Sequence, residues 1–82
     1  MSNSTKVAII TGASQGMGAD LVKAYREAGY KIIATSRSIK PSIDENILTV
    51  NGDISEPGTA DRIIEEAIKN FGRVDTLINN AG

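Results

Sequence analysis

The segment from Thr11 to Gly18 constrains the fold of this chain more than any other feature of its sequence. It reads Thr-Gly-Ala-Ser-Gln-Gly-Met-Gly and separates a β-branched apolar run at residues 7–10 from a stretch with helical periodicity. Glycine takes positive φ without steric penalty and lets a ligand approach the backbone. The helix that follows offers unpaired N–H groups and the positive end of its dipole. We therefore expect a pyrophosphate site here rather than an ordinary Gly-rich turn.

The spacing of these glycines excludes two common nucleotide-binding motifs. The fingerprint G-x-G-x-x-G would place its third glycine where Leu21 stands. A Walker A loop would place Gly-Lys where Met17 and Gly18 stand. The spacing G-x-x-x-G-x-G instead indicates a dinucleotide-type turn of a different kind.

Apolar periodicity predicts an alternation of strands and helices along the whole chain. Strands are expected at residues 6–11, 31–36, 47–50 and 74–79, and helices at residues 16–28 and 55–71. This order predicts an α/β fold: the first four strands, in the order 3-2-1-4, of a truncated Rossmann-type parallel sheet with helices on both faces. Residues 1–82 would then be the amino-terminal part of a single dinucleotide-binding domain.

Local signals predict where the helices begin and end. Gly29 and Gly72 are expected to end the two helices, and Ser55 is expected to be the N-cap of the second, with Pro57 in its first turn. Residues 37–45 contain a proline and lack helical periodicity, so a loop is expected there. The expected apolar face of the first helix contains Met17, Leu21, Val22, Tyr25 and Ala28. That of the second contains Ala60, Ile63, Ile64, Ala67, Ile68 and Phe71.

The polar and Gly-rich segments of the chain fall where the predicted strands end. They are residues 11–18, 36–37, 51–54 and 79–82. Ligands of doubly wound sheets bind beyond the carboxyl ends of the strands. The coincidence of four such segments predicts a ligand site at that edge.

Composition limits the possible chemistry. The 82 residues suffice for one small domain, and a net charge of −1 indicates neither nucleic-acid nor membrane binding. The chain has no Cys and no His, which excludes disulfides, thiolate nucleophiles, histidine bases and Cys/His metal sites. No signal-peptide or membrane-spanning run is present in the sequence, so a cytoplasmic protein is expected.

Three motifs resemble those of the short-chain dehydrogenase/reductase family. Residues 11–18 match its T-G-x-x-x-G-x-G motif, residues 79–82 match its N-N-A-G motif, and Asp53 matches its acidic residue after the third strand. The resemblance covers the whole chain. It implies an oxidoreductase whose complete form transfers a hydride between NADP(H) and a carbonyl or alcohol substrate, and which forms a homo-oligomer.

The resemblance also implies the cofactor contacts. Gly12, Ser14, Gly16, Met17 and Gly18 would line the pyrophosphate and ribose, with Gln15 in the same turn. Asp53 and Ile54 would flank the adenine, and Asn80, Ala81 and Gly82 would lie near the adenosine ribose, while Asn79 ties strands together. Two alternatives stay open: Asp53 could only order a turn, and Asn79 and Asn80 could be turn residues.

The residues after the second strand predict the choice of cofactor. An NAD site usually carries an acidic residue about 20 residues after the glycines. Ser36 stands at that distance from Gly16 and is neutral, and Arg37 follows it. A guanidinium suits a 2′-phosphate, so NADP is favoured over NAD. The alternative is that Arg37 is a solvated loop residue.

No catalytic residue of the family can be identified in these 82 residues. The family's catalytic tyrosine and lysine lie in the motif Y-x-x-x-K. In this chain the residue four positions after Tyr25 is Gly29, and the residue four positions after Tyr30 is Ala34, so neither tyrosine has the lysine. We therefore expect the chain alone to be inactive. A competing hypothesis is a non-catalytic nucleotide-binding or interaction module made as a genuine short chain.

Overall fold

The computed structural model describes residues 5–14 and 16–80. It contains β1 (Val7–Thr11), α1 (Gly16–Glu27), β2 (Lys31–Ser36), β3 (Ile47–Asn51), α2 (Thr59–Phe71) and β4 (Thr76–Ile78). The predictions made for Gln15, Ala81 and Gly82 lie outside the described residues. Neither of the described helices is long and apolar enough to cross a membrane.

The four strands form one parallel sheet in the order β3-β2-β1-β4, as predicted. β1 is one of the two inner strands, and Ile9 pairs with Ile33 of β2 on one side and Leu77 of β4 on the other. All five residues of β1 are buried. This burial explains its unbroken apolar sequence, because an inner strand covered on both faces has no solvent-facing positions.

The two helices cover opposite faces of the sheet, as predicted. Ala8 and Ile10 of β1 belong to a core on the α1 face, against which Leu21, Val22 and Tyr25 pack. Ile9, between them in sequence, belongs to a second core, which includes two residues of α2. Alternate residues of one strand therefore supply both cores, because successive side chains of a strand point to opposite faces.

α2 ends directly before the predicted Gly72, and α1 ends two residues before the predicted Gly29. Gly29, after α1, has φ 96°, and Gly72, after α2, has φ 84°. The N–H of Gly72 donates to the carbonyls of Ala67 and Ile68, and the N–H of Tyr30 donates to Tyr25 O at 3.0 Å. Hydrogen bonds of this kind, from N–H groups just after a helix to carbonyls of its last turn, are typical of a helix terminated by a residue in the left-handed conformation.

The predicted beginning of α2 is wrong. Ser55 is not its N-cap: α2 begins at Thr59, after Gly58 with φ 88°. The N–H and hydroxyl of Ser55 instead donate to Asp53 Oδ1, at 2.9 and 2.6 Å. Asp53 thus forms a side-chain turn, and the Pro57-Gly58 pair adds a second turn before the helix can start.

Further expectations need correction, among them the packing of Ala60, Ile64 and Ile68 of α2, which are exposed. Met17 is 69% exposed, because Gly18 one position later is the residue that packs inward. Ala28 lies beyond the end of α1 and is exposed. β4 is shorter than expected: the Asp75 carboxylate, rather than a strand carbonyl, accepts the N–H of Val7. Residues 37–45 form a loop, as predicted, and the one helical turn that the sequence left open is not formed there.

Candidate functional site

A cleft of about 570 Å³ lies at the carboxyl ends of the strands. Residues from all four predicted segments reach it. The lining residues are Thr11, Gly12, Ser14, Thr35, Ser36, Arg37, Ser38, Gly52, Asp53, Ile54, Ser55 and Asn80. The position of the cleft follows from the parallel sheet, because all four strands end at the same edge.

The glycine turn after β1 forms one wall of the cleft. Gly12 and Gly16 have φ 62° and 60°, a conformation that L-residues with side chains rarely adopt. The N–H of Ala13 donates to Thr35 O at 3.1 Å and ties the turn to β2. Gly18 is buried, and a Cβ there would overlap the carbonyl oxygen of Gly12. The turn and the first turn of α1 therefore pack backbone against backbone.

Thr11 joins this turn to the end of β4. Its hydroxyl donates to Asn79 Oδ1 at 3.0 Å and accepts the N–H of Asn80 at 2.9 Å. The Asn80 side chain then reaches Gly12 O at 3.4 Å. Asn79 ties two strand ends together, as expected from the resemblance, while Asn80 lies at the cleft.

The opposite wall is built by the ends of β2 and β3. The buried Thr35 hydroxyl donates to Val50 O at 2.6 Å, and the N–H of Gly52 donates to Ser36 O at 3.0 Å. The Thr35 bond lies within the paired part of the two strands, and the Gly52 bond continues the ladder one residue past it. They bring the Ser36-Arg37-Ser38 run beside the Asp53 turn.

Arg37 and Asp53 supply the charges of the cleft among its described lining residues. The hydroxyl of Ser55 holds the pKa of the Asp53 carboxyl below its ordinary value of 3.8, the backbone N–H of Ser55 adds to this, and the Arg37 guanidinium contributes a smaller attraction. Asp53 is therefore an anion at neutral pH. A cation and an anion thus stand in the cleft just after the ends of β2 and β3.

The predicted site residues separate into three groups. Gly12, Ser14, Arg37, Asp53, Ile54 and Asn80 line the cleft. Gly16, Met17 and Gly18 shape the turn without lining the cleft, and Gln15, Ala81 and Gly82 lie outside the described residues. The lining residues outside the four predicted segments, which sequence reasoning missed, are Thr35, Ser38 and Ser55. Their position next to the predicted strand ends was the available signal.

Neither tyrosine of the chain belongs to the cleft. Tyr25 and Tyr30 stack edge to face with ring centroids 4.9 Å apart, and both pack against the core on the α1 face. Their surroundings are those of structural aromatic residues. The described cleft thus offers binding groups and no general acid of the tyrosine type.

Comparison with known proteins matches residues 6–82 to the family model of the short chain dehydrogenases. The 11-beta-hydroxysteroid dehydrogenase 1A of Arabidopsis thaliana is 39% identical over 88 residues, which cover 94% of this chain and 25% of that protein. An uncharacterized oxidoreductase of Schizosaccharomyces pombe is also 39% identical, over 84 residues, covering 94% of this chain and 33% of that protein. The chain thus spans about a quarter to a third of the length of these curated relatives.

Solved structures agree with this match. The KRED1-Pglu enzyme superposes with a TM-score of 0.78 at 40% identity, covering 95% of this chain and 36% of that one. ElxO with NADP bound superposes with a TM-score of 0.84 at 31% identity, covering 95% of this chain and 35% of that one. The chain belongs to the short chain dehydrogenase family.

Proposed function

We propose that this chain is the dinucleotide-binding part of an NADP(H)-dependent oxidoreductase, and that residues 1–82 belong to one Rossmann-type domain. The complete enzyme would transfer a hydride between NADP(H) and a carbonyl or alcohol carbon. One observation carries the proposal: four strand ends form a single polar cleft between a glycine turn and Arg37. The NADP bound to the relative ElxO supports the choice of ligand.

The glycine turn fits a pyrophosphate. Backbone packing of Gly18 against Gly12 keeps side chains out of the turn, and the positive φ of Gly12 and Gly16 lets the backbone curve there. The N-terminus of α1, a helix of 12 residues, follows directly and presents unpaired N–H groups. Gly12, Ser14 and Gly16 to Gly18 would hold the pyrophosphate, with Gln15 in the same turn.

The far wall fits the adenosine half of the dinucleotide. Arg37 carries a planar array of N–H donors that matches a phosphate ester, and serine hydroxyls flank it on both sides. No carboxylate precedes it at the end of β2 to repel a 2′-phosphate. Asp53 and Ile54 would lie against the adenine, and Asn80, with Ala81 and Gly82, against the ribose. These contacts favour NADP over NAD.

The chain's own contribution is binding and orientation, since a bound nicotinamide cofactor supplies the hydride chemistry. Carbonyl reduction also needs a proton donor and groups that orient the substrate. The chain contains no His or Cys, and neither tyrosine lines the cleft. We therefore propose that the catalytic groups belong to a longer protein and that residues 1–82 alone are inactive.

A non-catalytic module made as a genuine short chain is the competing function. Three exposed apolar side chains, Ile64, Ile68 and Leu77, would suit such a docking role. The coding sequence after residue 82 distinguishes the two. A serine followed by Y-x-x-x-K supports the oxidoreductase, whereas a stop codon supports the module.

The test compares NADPH and NADH binding to the protein expressed from its complete reading frame. We expect tighter binding of NADPH, and in Arg37→Ala a loss of about 10- to 100-fold in NADPH affinity with NADH little changed. Lys69→Ala, which removes an exposed cation at the far end of α2, is the matched control. Equal affinities in the parent, or an equal loss for both nucleotides, would refute the NADP assignment.

A second pair of variants tests the glycine turn. Gly16→Val should weaken both nucleotides by at least about tenfold, because a branched side chain would occupy the turn in a strained conformation. Gly29 shares the positive φ and open surroundings of Gly16 but follows the opposite end of α1. Gly29→Val is therefore a control for strain alone. A folded Gly16→Val protein with the parent's affinity would remove the turn from the site.

A further inference from the structure

Asn51, the last residue of β3, makes two contacts that connect the wall of the cleft to its surroundings. Its side chain is exposed and does not line the cleft. Oδ1 accepts the N–H of Ile39 at 2.8 Å, and the backbone carbonyl accepts Arg62 Nη2 at 2.6 Å. One residue therefore bonds both to the loop after β2 and to helix α2.

The bond to Ile39 holds the segment that carries Arg37. Arg37 lies two residues before Ile39, at the start of the loop that follows β2. Within the described part of the chain, the bond to Asn51 is the hydrogen bond that ties residues 37–41 to β3. The N–H of Ser38 donates back to Ser36 Oγ at 3.3 Å, within the same turn. The Asn51 side chain thus sets how far this turn lies from β3.

The bond to Arg62 gives Asn51 a firm support. Arg62 belongs to α2 and reaches back over Gly52, where a Cβ would lie 2.6 Å from Arg62 Nη2. The absence of a side chain at Gly52 makes room for this approach. The N–H of Gly52 in turn donates to Ser36 O at 3.0 Å. Asn51 is therefore held between α2 and the end of β2, and its side-chain oxygen has a defined place.

We propose that Asn51 is a positioning residue that presents the Arg37 guanidinium to the 2′-phosphate of the dinucleotide and so contributes to selectivity for NADP. The inference rests on the proposed function. Asn51 acts through the backbone of the Arg37 loop and makes no contact with the dinucleotide itself. Removal of the Asn51 side chain lets the loop that carries Arg37 move, while the glycine turn and the Asp53 turn keep their own hydrogen bonds.

The experiment measures the Kd of NADPH and of NADH for the protein from the complete reading frame. Asn51→Ala should weaken NADPH about fivefold and leave NADH within about twofold, since a lost hydrogen bond of this kind has a modest net effect. In an Arg37→Ala background the same change should alter NADPH binding by less than about twofold, because coupled residues are not additive. Asn51→Leu removes the acceptor at similar volume and should behave like Asn51→Ala.

Asn70→Ala is the matched control, because the Asn70 amide bonds only to Glu66 within α2 among the described contacts. Parallel loss of NADPH and NADH binding in Asn51→Ala would show a purely structural role and overturn the proposal. An undiminished effect in the Arg37→Ala background would also overturn it. A parent protein that binds neither nucleotide, or that does not prefer NADPH, refutes the proposed function itself and this inference with it.

Discussion

Asp75 shows how one carboxylate can align two strands. Its Oδ2 accepts the N–H of Val7 at 2.9 Å, and its own N–H donates to Val7 O at the same distance. Arg73 binds both carboxylate oxygens, with Nε at 2.8 Å and Nη2 at 2.6 Å. The pKa of Asp75 is therefore held below its ordinary value of 3.8, chiefly by Arg73 and then by the Val7 N–H.

This lowered pKa predicts an acid-dependent loss of stability. The unfolded chain takes up the Asp75 proton at a higher pH than the folded one does, so the contribution is complete above about pH 3.8 and disappears as the pH falls through the folded-state pKa. Asp75→Asn should be less stable at pH 7 and show a shallower decline in acid. Urea unfolding between pH 7 and 2, followed by circular dichroism, measures both, with exposed Asp20→Asn as control. Parallel pH curves for parent and Asp75→Asn would contradict the prediction.

The contacts and burial of individual side chains were the features of this structure that the sequence predicted least well. The sequence identified Asp53 as a polar group at the end of β3, but it could not show that Ser55 would turn back to bind it. Similarly, Met17 has apolar chemistry at a helical spacing, yet Gly18 takes the inward position because only a glycine fits beside Gly12. Side-chain partners depend on where other segments lie, and a local pattern does not contain that information.

Helix α2 has two adjacent isoleucines in opposite environments. Ile63 is 2% exposed and belongs to the core on the α2 face, whereas Ile64 is 45% exposed. A step of one residue turns a helix by about 100°, which moves the second side chain off the sheet. Substituting each isoleucine in turn therefore measures the effect of burial on stability, because the two residues have the same side chain and adjacent positions in one helix.

Ile63→Ala should lower the free energy of unfolding by about 2–5 kcal/mol, because it removes buried methyl groups and leaves a cavity. Ile64→Ala, its matched control, should lower it by about 1 kcal/mol or less, since much of its apolar surface is already in contact with water. Urea denaturation of both variants measures the difference. Similar losses in the two variants would contradict the exposure of Ile64 in this structure.

The bounds of strands and helices were predicted better than the contacts of individual side chains. β2 has the predicted bounds, α2 ends directly before Gly72 and α1 ends within two residues of Gly29, because apolar periodicity and positive-φ glycines act over short distances. The start of α2 was not predicted. Pro57 is compatible with the first turn of a helix, but Gly58 adopts φ 88° and places it in a turn instead. The Pro-Gly pair is the stronger signal.

The sheet as a whole leaves apolar surface uncovered along β4. This strand of three residues pairs with β1 alone in the described sheet, and Leu77 at its centre is 61% exposed. Ile64 and Ile68 of α2 are also exposed. An unpaired strand edge beside apolar side chains favours association with other chains.

A polypeptide of residues 1–82 should therefore self-associate and show no turnover. NADPH consumption with a panel of ketones and aldehydes should not exceed the blank after two different columns. Leu77→Lys should raise the monomer fraction in sedimentation, whereas Ile43→Lys, at an exposed loop position, should not. Turnover that co-elutes with the polypeptide and disappears in Gly16→Val would contradict the proposal that the catalytic groups lie outside residues 1–82. An equal effect of both lysine substitutions would contradict the role of the β4 edge.

The inner place of β1 in the sheet has a consequence for synthesis on the ribosome. β1 leaves the exit tunnel before the other described strands and can pair with β2 as soon as Ser36 has emerged. The other edge of β1 stays unpaired until β4 has emerged, because the Thr11–Asn79 and Val7–Asp75 hydrogen bonds each join residues 68 positions apart in the chain. Throughout that interval the most apolar strand of the nascent chain has an open edge, where chaperones can bind. Emergence of β4 then pairs the open edge of β1 and brings Asn80 to the cleft.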